Sequence, residues 1–342
     1  MLDTATSRPS RAHAARPSTG VLAALAGTFT AIATLTFAGA ALAQSYPVKP
    51  IRWVVPLPAG GGMDIMTRAV TTRLQPALGQ SIVVDNRPGA AGAIGAEAVA
   101  KAAPDGYTLL SSDNGIMTMN PFAYRKLPYD PQKDFQPVSN FARVPFLLVV
   151  NPSLLPTKDA REFISYVRAN PGKVNFGSFG AGSISHIWME LLAQRMNLSM
   201  VHVPYKGAAP ALQDLAGGQL PTMLVDYGAA RGFITSGKLQ ALAATTRAPH
   251  PRLPNIPTLE SIGVKDYDIY GWVALFAPMG TPRPIIDRLN AEIVKAAPEV
   301  GAQFTDLGIG FVTTTPEELG AMVRSDLDRW GPVIRKLNLN LD

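Results

Sequence analysis

Residues 54–64 read Val54-Val55-Pro56-Leu57-Pro58-Ala59-Gly60-Gly61-Gly62-Met63-Asp64, and this stretch decides the fold. An apolar strand over 51–55 runs into a Pro/Gly loop, and an amphipathic helix opens directly afterwards and continues to about residue 77. Three consecutive glycines remove every Cβ, so the backbone can take positive φ and its N–H groups can converge. The following helix adds its own orphan N–H groups and the positive end of its dipole. Such a loop cradles an anion, with Asp64 placed as the helix N-cap. Strand, Gly loop and helix also occur as plain turn chemistry, so the reading needs support elsewhere. Nucleotide loops fail on residue type. A Walker A loop needs Gly-Lys-Ser/Thr where Gly62 is followed by Met63-Asp64, and no G-x-G-x-x-G with a distant acidic partner is present.

Support comes about 120 residues on. A strand at 174–176 is followed by Gly177-Ser178-Phe179-Gly180-Ala181-Gly182-Ser183 and then a helix over 184–196. Two loops of one design predict two similar lobes facing one cleft. Between and beyond them, short apolar runs alternate with amphipathic segments, the pattern of an α/β protein with parallel sheets. Strands are predicted at 81–85, 107–110, 145–150, 201–203, 222–225, 239–244 and 270–277. Helices are predicted at 95–102, 158–169 (N-cap Thr157), 209–216, 230–235 and 282–297, with a last one opening at Pro316-Glu317-Glu318. Residues 127–135 read as a surface connection. Ser111-Ser112-Asp113-Asn114-Gly115 closes the third strand, on the sheet edge where open parallel sheets hold ligands.

The first 20 residues carry Arg8, Arg11 and Arg16 against Asp3; residues 21–43 hold no charge and end in Ala41-Leu42-Ala43. This predicts a secretory leader over 1–43, cleaved after its A-x-A end and leaving about 300 residues for one or two compact domains. The alternative for so long an apolar stretch is an uncleaved anchor. With 0 cysteines the chain has no disulfides, thiolate metal sites or lipobox. Its net charge of +6 comes without basic runs, which argues against nucleic acid and is compatible with acidic small molecules. The 4 histidines are scattered, none at H-x-x-x-H spacing, so neither metal nor cofactor is expected.

Ser183 and His186, three apart, offer a nucleophile–base pair, but no G-x-S-x-G elbow surrounds them. The ordinary reading makes Ser183 an N-cap and His186 a donor near the cleft. His202 reads as a satisfied core or cleft-edge residue, and Asp226 as a ligand contact or a cap of the next helix. Trp188 is the tryptophan best placed to line a cleft.

Several motifs then point one way. Tyr46-Pro47, Lys49-Pro50-Ile51, the 56–64 loop, Asp85-Asn86-Arg87-Pro88-Gly89 and Ala103-Pro104-Asp105-Gly106-Tyr107-Thr108-Leu109 resemble the solute receptors of tripartite tricarboxylate transporters, also called Bug receptors. So do Leu127-Pro128-Tyr129-Asp130-Pro131, Val203-Pro204-Tyr205-Lys206-Gly207 and Phe276-Ala277-Pro278 with Gly280-Thr281-Pro282. The resemblance covers the mature chain in order. It implies a type II periplasmic binding fold: two lobes, a central ligand cleft and a two-strand hinge. Lobe 1 would be 44–144 with 271–342 and lobe 2 145–270, the hinge lying near 142–145 and 270–272. It also implies that backbone N–H groups of both loops hold a carboxylate. Carried over, the contacts fall on Pro58, Ala59, Gly60, Gly61, Gly62, Met63 and Asp64; on Ser112, Asp113 and Asn114; on Ser178, Phe179, Ala181, Gly182, Ser183 and His186; and on Tyr205 and Asp226.

Leu57, Met63 and Phe179 are more apolar than the family pattern, and Asp226-Tyr227 replaces a common Asp-Asn. These departures imply a ligand less polar than citrate, a mono- or dicarboxylate with an aliphatic or aromatic body. The expected protein is a periplasmic receptor, not an enzyme, that hands an organic carboxylate to membrane permease subunits. The rival readings are a sensory receptor for a membrane kinase, an exported serine hydrolase built on Ser183 and His186, and a binding fold that has lost its ligand.

Overall fold

The structure, a computed structural model, describes residues 46–337; the predicted leader, 1–43, lies outside the described residues. The first strand, β1 (Ile51–Val55), has Ile51, Trp53, Val54 and Val55 fully buried, the signature of a central strand covered on both faces. It pairs in parallel with β2 (Ile82–Asn86) on one side and β3 (Thr108–Asp113) on the other. Helix α1 (Gly62–Leu78) buries Met63, Met66, Val70, Leu74 and Leu78 at three- and four-residue spacing and ends at Gly79, φ 68°. Trp53 Nε1 donates to Ser111 Oγ at 2.7 Å, and Thr67 Oγ1 meets the same oxygen at 2.7 Å, tying β1, β3 and α1 together. Helix α2 (Ala93–Ala100) follows β2; a π-helical turn, 115–119, and the single turn α3 (Asn120–Ala123) follow β3.

The next strand, β4 (Phe135–Val150), is the longest, and α4 (Ala160–Ala169) follows it. The motif of the first sheet then recurs. Strand β5 (Val174–Ser178) runs into α5 (Ile184–Met196), β6 (Met200–Pro204) into α6 (Ala208–Ala216), and β7 (Thr222–Asp226) into α7 (Tyr227–Thr235). Strand β5 is parallel to β6 and to β7. The chain continues through β8 (Gln240–Ala244), β9 (Tyr270–Pro278), α8 (Arg283–Phe304) and α9 (Pro316–Leu337). The strand order is β2-β1-β3-β9-β4-β7-β5-β6, with β8 also on β4. Each half therefore has a 2-1-3 parallel core, β2-β1-β3 or β6-β5-β7, closed by an antiparallel strand.

Those closing strands add antiparallel pairs to the parallel sheets expected from the sequence. Strand β9 is antiparallel to β3 and to residues 135–145 of β4, while 146–150 of β4 is antiparallel to β7 and β8. The segment 135–144, not recognised as a strand, is the first half of β4. Thr157 is not the cap of α4; Asp159 is, accepting from the N–H groups of Arg161 and Glu162. Helix α8 runs past Pro298 to Phe304, because Ile293, Val300 and Phe304 are all buried on either side of the proline. Among the described residues no helix is long and apolar enough to cross a membrane, and no group of three His, Cys, Asp or Glu could hold a metal.

Candidate functional site

In a 2-1-3 arrangement the chain leaves β1 to one side for β2 and returns on the other for β3, so the crevice opens between the carboxyl ends of β1 and β3. The same holds for β5 and β7. The four segments leaving these strands are the 56–64 loop, residues 112–116, the 177–183 loop and Asp226. The topology thus gives a reason for every cluster singled out in the sequence except Tyr205, which lies just beyond β6.

The two glycine loops are built alike. In the first, Gly60 takes φ 77° and its N–H donates to Asp64 Oδ2 at 2.9 Å; in the second, Gly182 takes φ 77° and its N–H donates to His186 Nδ1 at 3.1 Å. In both, the residue before the cap is held by the third helical side chain, a variant of the capping box. Asp64 is accordingly not the N-cap of α1; Gly61 is. Its buried carboxylate also accepts from Asn86 Nδ2 at 3.0 Å and pairs with Arg68 at 3.0 Å. Burial alone would raise this carboxyl, but hydrogen bonds from Arg68, Gly60 and Asn86 outweigh it and hold it below the usual range. The charge beside the first loop is therefore neutralised by an arginine four residues on. Arg68 was missed in the sequence, although i,i+4 spacing marks it.

His186 is likewise an acceptor toward the loop, not a donor into the cleft. With Nδ1 occupied by an N–H, its proton sits on Nε2, which faces Glu190 Oε1 at 3.8 Å. Ser183 holds the N-cap position of α5, but its hydroxyl makes no cap hydrogen bond and donates to Gly180 O at 2.7 Å. Ser183 and His186 thus form no nucleophile–base pair. Ser178 Oγ is engaged with Gly180 and, at 2.6 Å, with His202 Nε2; Phe179 N–H donates to Ser185 Oγ at 3.0 Å. What the loops leave without partners among the described residues are the N–H groups of Ala59, Gly62, Met63 and Asp64 on one side and of Ala181, Ile184, Ser185 and His186 on the other. Two helix N-termini with free donors suit a carboxylate.

The remaining candidates divide. The Tyr205 hydroxyl donates to Asp214 at 2.8 Å, and burial together with that bond pushes its pKa up to about 12. Asp226 caps α7 through Ala229 N–H at 2.9 Å, and burial raises its carboxyl. Asp113 accepts from Ile116 N–H at 2.9 Å; burial pushes it up to about 6 against that bond. Met63 is buried, and the half-buried Phe179 lies 6.0 Å from Phe146, ring to ring. Trp188 does not line an open cleft. It is fully buried, 5.0 Å from Phe146 and 6.5 Å from Trp330, with its carbonyl accepting from the Tyr267 hydroxyl.

The first and second loops approach each other through the end of β3. A Cβ on Gly115 would lie 3.1 Å from Asp113 Oδ1 and 3.1 Å from Ile184 Cγ2, the first helical residue after the second loop. Gly95 packs still more closely on Pro56 of the first loop, and Gly92 on Ile116, where a Cβ would lie 2.6 Å from Cδ1.

Residues 66–339 match the model of the tripartite tricarboxylate transporter family receptors, so the chain belongs to this family of solute-binding receptors. Protein BugT of Bordetella pertussis is 37% identical over 324 residues, 94% of this chain and 98% of that protein. Two solved structures share the two-lobed fold. R. palustris Rpa4515 with adipate gives a TM-score of 0.81 at 34% identity, covering 86% of this chain and 99% of that one. MatC of Rhodopseudomonas palustris with bound malate gives 0.78 at 34% identity, covering 84% of this chain and 100% of that one.

Proposed function

We propose that this protein is a periplasmic receptor that closes on an organic carboxylate and delivers it to the membrane subunits of a tripartite permease, performing no chemistry of its own. The observation that carries the reading is the pair of glycine loops, each presenting free N–H groups of a helix N-terminus. Relatives that bind adipate and malate agree with it in ligand class. The ligand contacts are assigned to both loops and to the ends of β3 and β7. The hinge is assigned to 142–145 and 270–272, between lobe 1 (44–144 and 271–342) and lobe 2 (145–270). Strand β4 changes its pairing from β9 to β7 and β8 between Pro145 and Phe146, which favours that placement. The absence of a Ser183–His186 bond speaks against the hydrolase.

The test is thermal unfolding of protein refolded to strip carried-over ligand, against mono- and dicarboxylates. Ligand at 100 times its Kd adds about 2.7 kcal/mol, a shift of a few degrees for a chain this size. Silence from aliphatic and aromatic acids alike would overturn the reading.

A further inference from the structure

The loops supply donors; the end of β3 supplies acceptors. Asn114 is 2% exposed, and its Nδ2 donates to the Tyr270 carbonyl at 3.1 Å, at the start of β9. Only an amide NH2 can face a carbonyl, so the orientation is fixed, and Asn114 Oδ1 is left buried without a partner. Two residues back, Ser112 is fully buried and its Oγ also has no partner. Its neighbour Ser111 is by contrast fully used, by Trp53 and Thr67. An unmet buried polar atom costs about 1–3 kcal/mol, so two within three residues call for an occupant. The stretch lies at the switch point between β1 and β3, and Gly115, the next residue, touches Ile184 at the mouth of the second loop.

Resting on the receptor reading, we propose that Ser112 and Asn114 select a carboxylate that carries its own hydrogen-bond donor, a hydroxyl or ammonium group on the acid's carbon chain. The carboxylate sits on the N–H groups of the loops, and the donor points to Asn114 Oδ1. Ser112 Oγ, able to give or accept, turns to suit it. A plain hydrocarbon acid leaves the Asn114 oxygen unmet, and a site built to bond a donor rejects the analogue lacking it far more strongly than a missing methylene would. Asp113, on the same turn and accepting from the Ile116 N–H, adds a further acceptor beside the donor's path.

The experiment is calorimetric titration of the refolded protein with matched acids: succinate, malate and aspartate; butanoate and 3-hydroxybutanoate; phenylacetate and mandelate. In at least one set the donor-bearing acid is expected to bind tenfold or more tighter than its plain partner. Asn114→Leu should shrink that ratio at least tenfold, and Ser112→Ala should shrink it less. Equal affinity within every set, as when ordered water alone fills these positions, overturns the inference and leaves the receptor reading standing. A preference that survives in Asn114→Leu also overturns it. Silence from every acid overturns both. If Asn114→Leu does not fold, the comparison within sets on the unaltered protein still decides.

Discussion

His186 and His202 lie ring on ring, centroids 3.6 Å apart and planes 10° from parallel, with Phe176 stacked against both. Burial pushes His186 down to about 3, with His202 adding to the effect, and pushes His202 down to about 4. In the unfolded chain both protonate near 6.5. Between about 4 and 6.5 the unfolded state therefore binds more protons, and for these groups stability rises with pH and levels off above. Asp113 has the opposite sign. Its carboxyl is raised to about 6, so the stability it lends at low pH is lost as pH rises through 6. His202→Gln separates the two contributions. On going from pH 7.5 to 5 the unaltered protein should lose about 2 kcal/mol more than the variant in urea unfolding. A difference between them that does not change with pH would sink the account. Asp64 gives a second residue-scale prediction. Asp64→Ala strands the Gly60 N–H, leaves Asn86 Nδ2 with only its bond to the Leu57 carbonyl and should cost about 1–3 kcal/mol, whereas Asp64→Asn keeps an acceptor and should cost less. Equal losses in urea unfolding would mean the charge pair with Arg68, not the hydrogen bonding, holds the loop.

Among the elements, the turn before α2 fixes the first loop. Gly89, Ala90, Ala91 and Gly92 all have positive φ, and a Cβ on Gly95 would lie 2.7 Å from Pro56 Cβ, 2.8 Å from Pro56 Cα and 2.9 Å from Arg87 O. Two of these are backbone atoms that cannot swing aside. Gly95→Ala should cost about 1–3 kcal/mol by overpacking and weaken any stabilising carboxylate. Gly232→Ala in α7 meets nothing within 4 Å and should be neutral or stabilise by up to about 1 kcal/mol. Thermal unfolding of the pair checks the contrast, and equal melting points would refute it. The same elements show what could be read from the sequence. Ile51–Val55 and the first three residues of Val174–Ser178 were legible because their apolar runs end at Pro56 and Gly177, and α5 was placed to the residue by the Gly/Ser loop before it. The first half of β4 was not. Pro137, Ser139 and Asn140 interrupt it, and two irregularities, at 137–139 and 140–142, break the alternation that marks a strand. Nor did residue type reveal which N–H groups of the loops are free, because Asp64 and His186 fold back on them through bonds that depend on rotamer. The π-helical turn at 115–119, Gly115-Ile116-Met117-Thr118-Met119, is too short to carry a period that could be read.

For the whole molecule, β4 is the decisive strand. Its 16 residues pair with β9 over 135–145 and with β7 and β8 over 146–150, so neither set of strands is complete without it. A second tie lies between α8 and α9. Gly310 exchanges backbone hydrogen bonds with Arg143 at 2.7 and 3.0 Å, Asp306 pairs with Arg252 at 3.3 Å, and Gly308 abuts the buried His250 ring. Loss of either half would strip β4 of half its ladder and expose this contact, so residues 49–342 should unfold as one cooperative unit. Calorimetry is expected to give a single transition whose van't Hoff and calorimetric enthalpies agree, and a bound carboxylate should move that transition as a whole. Two peaks, with ligand shifting only one, would show that the strand shared between the sheets does not couple them, and closure would then have to be explained by the ligand alone.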